Sequence, residues 1–270
     1  MHKKLPQRLR RIKVKAAIIT VAGVSSRFNE GIPEEQKRHK IIYYENDKKH
    51  TLLYHLLEKC MFADRIILVG GHKYDDLTAY CGELPAEMQE KIILTYNEHY
   101  SDLASGYSLY VGLKELFDRF GGEVDEVLFV EGDLDIDKAS FDKVIASDKS
   151  VLTYSFEPIY AKKAVVLYRD GEDRFKYAFN SSHGMLRIDD EFSVILNSGQ
   201  MWKFTEADKL KAANEKFFAE EKDGTNLRII QNYIDSCGSE NFELISLSRW
   251  TNCNTRDDYR KILSYWEEEK

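Results

Sequence analysis

A loop of small residues with one arginine follows the first apolar segment of the chain. Residues 16–21 are apolar or β-branched, and the loop after them consists of Ala22, Gly23, Val24, Ser25, Ser26 and Arg27. Small side chains allow backbone N–H groups to approach an anion closely, and a guanidinium group can hold two phosphate oxygens at once. The loop is therefore predicted to bind phosphate. A tight turn between a strand and a helix would explain Gly23 and the serines, but it would not require Arg27.

A second candidate group is the carboxylate of Asp133. Residues 127–130 read Val-Leu-Phe-Val and are followed by Glu131, Gly132 and Asp133. Open α/β sheets bind their ligands at the carboxyl ends of their strands. One carboxylate, together with phosphate oxygens and water, is the usual way to hold Mg²⁺ on a triphosphate. We therefore predict that Asp133 binds Mg²⁺, and the alternative is a solvated acidic residue at a strand end.

Apolar segments alternate with amphipathic ones in the first half of the chain. Helices are predicted at 51–60, with Thr51 as the N-cap, at 74–80 and at 105–117. Segments rich in β-branched residues predict strands at 16–21, 66–69, 92–96, 127–130, 151–154, 164–168 and 242–247. The alternation predicts an α/β fold, a three-layer α/β/α sandwich with a mainly parallel, mixed sheet.

The second half of the chain is less regular. Short segments of mixed polarity between residues 154 and 204 indicate an antiparallel flap or a mixed sheet beside the main one. A capping box at Thr205 and Asp208 predicts a helix to about residue 222, and further helices are predicted over 226–237 and from Thr255, with Asp258 as its capping partner. We expect residues 14–270 to form a single domain with an insertion at about 154–204, because no linker or internal repeat is visible.

The composition is that of an ordinary globular protein. The chain has 270 residues, of which 43% are hydrophobic, and a formal net charge of −7. Residues 1–13 form a basic arm, which we interpret as a solvated terminus, since the overall negative charge argues against nucleic acid as a partner. The four cysteines form no C-x-x-C pair, which fits a reducing cytoplasm. No membrane-spanning segment is expected.

Several segments follow one another in the order seen in a known family. The chain resembles the nucleotidyltransferases that activate sugar phosphates, phosphocholine or phosphonates, which carry a strand, an Ala-Gly-x-Ser-Ser-Arg loop and then a lysine. The resemblance covers about residues 14–260 and implies the Rossmann-like fold of the nucleotide-diphospho-sugar transferases. At the position of the family's lysine we favour Lys40, which directly precedes two isoleucines, over Lys37. This lysine would neutralise charge on the α-phosphate and the leaving pyrophosphate.

Two later segments complete the resemblance. The family has an asparagine after a strand and then a helix whose first residues meet the base and the ribose, and the matching residues are Asn97, Ser105, Gly106 and Ser108. The family's late Asp-Thr-x-x-Asp segment adds a second aspartate to its metal site, and Asn254 stands at that position. An amide is a weaker Mg²⁺ ligand than a carboxylate. The resemblance therefore implies a metal site at Asp133 and Asn254 in which the contribution of Asn254 is in doubt.

The resemblance also implies a reaction. A phosphate or phosphonate oxygen would attack the α-phosphorus of a nucleoside triphosphate and release pyrophosphate, while Arg27, Lys40 and Mg²⁺ on Asp133 neutralise charge. The loop and the segment 104–109 look most similar to phosphocholine and phosphonate cytidylyltransferases, so the expected donor is CTP.

The acceptor site is expected in or beside the irregular second half. Tyr107 or Trp202 could receive a quaternary ammonium group on its ring face, and His183 lies in a polar segment. Core packing would equally explain Trp202, and a turn would explain His183.

Two other functions remain open from the sequence. Asp133-Leu-Asp135 could be the D-x-D motif of a glycosyltransferase of the related fold, which holds Mn²⁺ and a sugar nucleotide, although the Arg27 loop and the following lysine suit a triphosphate better. The second alternative is a nucleotide-binding protein without catalytic activity, and Asn254 is its only support.

Overall fold

The computed structural model describes residues 13–160, 165–179 and 185–268. The strands are β1 (Val14–Thr20), β2 (Arg65–Gly70), β3 (Ile92–Tyr96), β4 (Val124–Glu131), β5 (Leu134–Ile136), β6 (Ser150–Ser155), β7 (Val165–Asp170), β8 (Phe175–Phe179), β9 (Phe192–Phe204), β10 (Phe242–Leu247) and β11 (Trp250–Asn252). The helices are α1 (Leu52–Lys59), α2 (Tyr74–Gly82), α3 (Ala86–Gln89), α4 (Ser105–Phe120), α5 (Lys138–Ala146), α6 (Ala207–Glu220), α7 (Asn226–Cys237) and α8 (Arg256–Glu268). Every strand and helix predicted from the sequence is present, while α3, α5 and several short strands are additional.

The main sheet is parallel at its centre. Its strands follow the order β10-β6-β9-β4-β1-β2-β3, and β1 runs parallel to both β2 and β4. The last residues of β1 and β4, Thr20 and Glu131, lie opposite each other. The loop after β1 and the Asp133 segment after β4 therefore emerge side by side at the same edge of the sheet.

The antiparallel part of the sheet comes from the irregular segment. The second half of β9 lies between β4 and β6, its first half pairs with β7, and β7 pairs with β8, all antiparallel. The expected mixed sheet is confirmed. We did not expect β9 itself to be a 13-residue strand, because its first half is exposed or half-buried and Gly199 interrupts it. A Cβ at Gly199 would lie 2.5 Å from Thr153 Oγ1, so the close approach of β6 requires glycine there.

The core forms two apolar layers, one on each face of the sheet. Along β1, Ala16 and Ile18 face the layer under α4, α6 and α7, whereas Ala17 and Ile19 face the layer under α1, α2, α5 and α8. The three-layer α/β/α sandwich is therefore confirmed. None of the helices in the described ranges combines the length and the apolar character that a membrane span needs. Of the basic arm, residues 1–12 lie outside the described residues, and Lys13 pairs with Asp125.

The helix starts test three expected caps. Thr51 Oγ1 accepts from the Tyr54 N–H at 3.0 Å and caps α1, as expected. At α8, the N–H of Asp258 donates to Thr255 Oγ1 and Asp258 Oδ2 accepts from the Thr255 N–H, which is the expected reciprocal box. The box expected at Thr205 is wrong. Among the described residues no side chain caps α6, and the backbone N–H groups of Thr205 and Glu206 donate instead to the buried hydroxyl of Tyr233.

The expectation that Trp202 binds the acceptor is also wrong. Its side chain is fully buried, stacks on Phe129 with ring centroids 5.1 Å apart, and donates from Nε1 to the Tyr177 hydroxyl at 2.8 Å. The position of β9 between β4 and β6 turns Trp202 into the core. Packing, the alternative considered for this residue, accounts for it.

Asp135 is structural, which excludes it from a D-x-D metal site. Its side chain is 1% exposed, and Oδ1 accepts from Trp266 Nε1 at 2.9 Å. Lys59 Nζ lies 3.5 Å from Oδ1 and Arg249 Nη2 lies 3.2 Å from Oδ2. Asp133 precedes β5 and lies at the open edge of the sheet. Asp135 lies within β5 and faces the layer under α1 and α8.

We expect the substitution Asp135→Asn to lower the free energy of unfolding by about 3 kcal/mol, because removing one partner of a buried ion pair leaves charge uncompensated. Urea unfolding followed by circular dichroism measures this. The matched control is Asp142→Asn on α5, whose side chain is 53% exposed and pairs with Lys138 at the surface. An unfolding free energy for Asp135→Asn equal to that of the control would contradict the structural role of Asp135.

Candidate active site

A cavity of about 430 Å³ opens at the carboxyl ends of β1 and β4. The first turns of α4 and α7 form its opposite wall. It brings together residues from every segment singled out in the first half of the sequence, namely Ala22, Gly23, Lys40, Asn97, Ser105, Ser108 and Asp133. We call this the main cavity.

The centre of the main cavity is the contact between Lys40 and Asp133. Lys40 Nζ lies 2.7 Å from Asp133 Oδ2 and donates a second hydrogen bond, of 3.0 Å, to the backbone carbonyl of Cys253. The Cys253 N–H in turn donates to the Asp133 carbonyl at 2.7 Å. The two side chains are 17% and 23% exposed, so a bound ligand can reach both. The sequence prediction that preferred Lys40 to Lys37 therefore selects the lysine that lies beside Asp133.

The position of Lys40 is set by the buried imidazole of His39. Its Nε2 donates to the Val21 carbonyl at 2.9 Å, and its Nδ1 accepts from the Ile41 N–H at 3.4 Å, which assigns a neutral ring. Burial is the main reason that the pKa of His39 falls from 6.5 to about 4. The Lys40 N–H also donates to Ser25 Oγ at 3.3 Å. We call the predicted phosphate-binding loop, residues 22–27, the phosphate loop. This loop and the end of β1 thus hold the segment that carries Lys40.

Asn97 and Ser108 form the far wall. Asn97 is 1% exposed, and its Nδ2 donates to Ser108 Oγ at 2.9 Å. Ser105 begins α4, and no side chain caps this helix. Gly106 does not line the cavity. A Cβ there would lie 2.4 Å from the Gly224 carbonyl, so Gly106 instead permits close packing of α4 against the turn before α7.

Glu131 and Asn226 belong to the main cavity and were not predicted from the sequence. Glu131 Oε1 accepts from Asn226 Nδ2 at 2.7 Å, and both line the cavity. Burial, with a smaller contribution from the Asp133 carboxylate, raises the pKa of Glu131 to about 7. Glu131 could have been noticed as a polar residue ending an apolar strand. Asn226 has no local signal, because only the packing of α7 brings it to the site.

Arg27 lies outside the main cavity, in a neighbouring one of about 610 Å³. We call this the second cavity. The phosphate loop runs between the two: Ala22 and Gly23 line the main cavity, whereas Val24, Ser26 and Arg27 line the second. Ser25 is buried between them at φ +55°, a left-handed conformation that turns the loop.

The residues expected to bind the acceptor are not brought together. Tyr107 is half-buried outside the main cavity, with its ring edge-to-face on His99 at 4.9 Å, Trp202 lies in the core, and His183 lies outside the described residues. The second half of the chain contributes other residues to the main cavity: Val165, Phe179 and Gln200.

The two residues predicted to bind Mg²⁺, Asp133 and Asn254, differ in their surroundings. Within the described ranges, no group of three or more His, Cys, Asp or Glu side chains is arranged to hold a metal by itself. Asp133 offers one carboxylate, of which Oδ2 is shared with Lys40. Asn254 lines a neighbouring cavity of about 270 Å³ that shares Val165 and Gln200 with the main cavity, and the backbone N–H of Asn254 donates to Asp258. The residues present thus fit a Mg²⁺ ion that arrives with phosphate oxygens and uses one protein carboxylate.

The neutral state of His39 leads to a prediction about acid stability. The pKa of His39 is lowered in the folded protein, so protons favour the unfolded chain, and stability is lost as the pH falls from about 6.5 to 4. His39 contributes up to about 1.4 kcal/mol per pH unit in this window. We expect His39→Gln, which can still donate to Val21, to show a shallower fall in urea unfolding measurements. An unchanged slope would contradict the buried neutral ring.

Solved structures with the same fold are nucleotidyltransferases. A CTP:phosphocholine cytidylyltransferase from Streptococcus pneumoniae is 16% identical with a TM-score of 0.61, and the match covers 94% of this chain and 99% of that one. An inositol-1-phosphate CTP transferase from T. maritima is 17% identical with a TM-score of 0.62, covering 91% of each chain. A UDP-glucose pyrophosphorylase complexed with UDP-glucose is 11% identical with a TM-score of 0.63, covering 95% and 100%. The chain therefore has a nucleotidyltransferase fold.

Sequence comparison identifies a family without a described activity. No curated protein matches the chain in sequence. One family model matches residues 36–266, which include Lys40, Asp133 and Asn226. By this match the chain belongs to the family described as "Domain of unknown function (DUF6564)".

Proposed function

We propose that this protein is a nucleotidyltransferase that transfers a nucleoside monophosphate, from CTP by preference, to a phosphate or phosphonate acceptor with release of pyrophosphate. The observation that carries the proposal is the contact of Lys40 with Asp133 at the ligand-binding edge of the sheet, beside a phosphate loop and a cavity of nucleotide size. The fold of the solved cytidylyltransferases and pyrophosphorylases supports the same activity.

Each residue of the site has a separate role in the proposed reaction, which follows from its position. The nucleoside occupies the main cavity between Gly23 and the first turn of α4, where Asn97 and Ser108 offer polar atoms to the base and ribose. Lys40 holds the α-phosphate and neutralises the charge that grows as the bond to pyrophosphate breaks, and Arg27 holds the leaving group. Asp133 would hold Mg²⁺, which supplies charge neutralisation on the triphosphate oxygens. Catalysis then rests on in-line positioning, without a covalent intermediate.

The acceptor enters from the side of the antiparallel strands. Val165, Phe179 and Gln200 line this side of the main cavity. The hydrogen-bonded pair of Glu131 and Asn226 also lines the cavity. We treat the segment 154–204 as an acceptor-side insertion in one domain of residues 14–270. The choice of CTP rests on the phosphate-loop resemblance. A cytoplasmic location agrees with four buried cysteine thiols.

The alternatives receive less support. In a glycosyltransferase the Asp133-Leu-Asp135 motif would hold the metal, whereas Asp135 is held in the core by Trp266, Lys59 and Arg249. The alternative of a nucleotide-binding protein without turnover had Asn254 as its only support. A metal site that uses Asp133 alone does not need a carboxylate at position 254.

The test is a matrix of the four nucleoside triphosphates against phosphocholine, aminoethylphosphonate and sugar phosphates, read by pyrophosphate release with Mg²⁺. The proposal requires release that depends on one acceptor and is greatest with CTP. Release of a nucleoside diphosphate from sugar nucleotides would favour the glycosyltransferase instead. Nucleotide binding with no turnover for any pair would favour the binding protein.

The roles of the charged residues lead to a prediction about rate. Asp133→Asn should lower turnover roughly 10²–10³-fold, because one preorganised electrostatic contact is typically worth that much, while stability stays near that of the wild type. Lys40→Ala should lower turnover by a similar factor. Lys48→Ala is the matched control, because its side chain is 62% exposed and pairs with Glu83. If Lys37→Ala reduces turnover more than Lys40→Ala, the assignment of Lys40 to the α-phosphate is wrong.

The amide at position 254 leads to a prediction about metal affinity. We expect Asn254→Asp to leave Mn²⁺ affinity in the presence of CTP within about twofold of wild type, because Asp133 lines the main cavity and residue 254 does not. Electron paramagnetic resonance of free Mn²⁺ measures this, with Asp133→Asn as the variant that loses binding. Several-fold tighter binding would show that position 254 reaches the metal.

A further inference from the structure

The main cavity contains a carboxylate to which the proposed reaction assigns no role. Glu131 is the last residue of β4, and its half-buried side chain lines the cavity. Its Oε1 accepts a hydrogen bond from Asn226 Nδ2 at 2.7 Å. Asn226 is 3% exposed, so the amide that orients this carboxylate is itself held by the packing of α7.

Glu131 differs from four other carboxylates of low exposure because it has no cation beside it. Those four are each at most 23% exposed and pair with a lysine or an arginine: Glu126, Asp133, Asp135 and Asp170. Within the described ranges, Glu131 makes no ion pair, and its hydrogen-bond partner is the neutral amide of Asn226. A carboxylate taken out of water is costly unless a cation compensates it. A ligand that carries a positive charge would supply this compensation.

The position of Glu131 suits an acceptor group rather than a second metal-binding group. Gly132 separates Glu131 from Asp133, and both carboxylates line the main cavity. Val165 and Phe179 line it on the side from which the acceptor is proposed to enter. A short carbon chain can pack against these apolar side chains. A small acceptor can thus have its phosphate near Asp133 and a cationic group at Glu131.

The polar atoms around Glu131 favour one kind of cation. Within the part of the chain that the structure describes, neither Glu131 Oε2 nor Asn226 Oδ1 accepts a hydrogen bond. A primary ammonium group has three N–H donors and can bond to both oxygens. A quaternary ammonium group has no N–H donor, and the aromatic residues expected to receive one, Tyr107 and Trp202, do not line the main cavity.

We propose that Glu131, oriented by Asn226, binds a primary ammonium group of the acceptor, so that the acceptor is an aminoalkyl phosphate or phosphonate. The inference rests on the proposed function and narrows its acceptor class. Glu131 acts on recognition of the acceptor, because the bond that breaks in the reaction joins the α-phosphorus to pyrophosphate. The hydroxyl groups of the ribose are the other partners that a carboxylate in this cavity could bind, and the experiment separates the two.

The experiment uses three phosphonates that differ only at the end of the carbon chain: aminoethylphosphonate, its N-trimethyl derivative and ethylphosphonate. Isothermal titration calorimetry measures the binding of each to the full chain with Mg²⁺ and a CTP analogue that carries a methylene group between the α- and β-phosphates. For the wild type we expect aminoethylphosphonate to bind about tenfold more tightly than ethylphosphonate, since a charge-assisted hydrogen bond is worth about that factor. The N-trimethyl derivative should bind more weakly than aminoethylphosphonate.

The variants separate the charge of Glu131 from its packing. Glu131→Gln removes the charge and can still accept from Asn226, so we expect about tenfold weaker binding of aminoethylphosphonate. Ethylphosphonate should bind this variant at least as tightly as wild type, because a negative charge near the phosphonate is removed. Glu131→Asp keeps the charge and should keep the order of the three compounds. The matched control is Glu83→Gln, whose side chain is 60% exposed and pairs with Lys48, and it should match wild type.

Three outcomes would overturn the proposal. The first is equal affinity of the wild type for aminoethylphosphonate and ethylphosphonate, and the second is tighter binding of the N-trimethyl derivative than of aminoethylphosphonate. The third is weaker binding of the CTP analogue to Glu131→Gln with unchanged binding of aminoethylphosphonate, which would assign Glu131 to the ribose. Acceptor binding does not require turnover. The expected affinities without any pyrophosphate release would therefore support the ammonium site and count against the proposed function alone.

Discussion

The candidate site depends on one ion pair, between the ammonium group of Lys40 and the carboxylate of Asp133. It joins the segment after the phosphate loop to the end of β4, and the hydrogen bond from Lys40 to the Cys253 carbonyl adds the end of β11. Asp133 lies 93 residues after Lys40 in the chain, and Cys253 lies 213 residues after it. The pair is reachable from the main cavity, so that when the two side chains separate, Lys40 can bind a phosphate and Asp133 a cation.

Two aspartates of one short segment show how position assigns their roles. Asp133 lies at the open edge of the sheet, whereas Asp135, two residues later, is buried against Trp266, Lys59 and Arg249. A sequence motif of alternating acidic residues suggests equal access to a metal. Their contacts make the difference, because the side chain of Asp133 lines the main cavity beside Lys40, whereas the side chain of Asp135 is 1% exposed.

The sequence predicted the parts of the site that depend on local structure. The phosphate loop and Asp133 directly follow buried strands, and parallel pairing of β1 with β4 places both at one edge. Other features depend on contacts between distant segments. Asn226 reaches Glu131 only because α7 packs on that face, and Trp202 is buried because β9 inserts between β4 and β6. The first half of β9 is exposed or half-buried and shows no period-two pattern, so the length of this strand could not be read from the sequence.

The central claim is that the triphosphate binds across the contact of Lys40 with Asp133. The most direct test is a crystal structure of the protein with Mg²⁺ and a CTP analogue whose α,β-bridging oxygen is replaced by a methylene group. The account expects the α-phosphate beside Lys40 Nζ, the metal ion on Asp133, and the terminal phosphates towards Arg27. A nucleotide bound elsewhere, with Lys40 and Asp133 still paired only to each other, would contradict it.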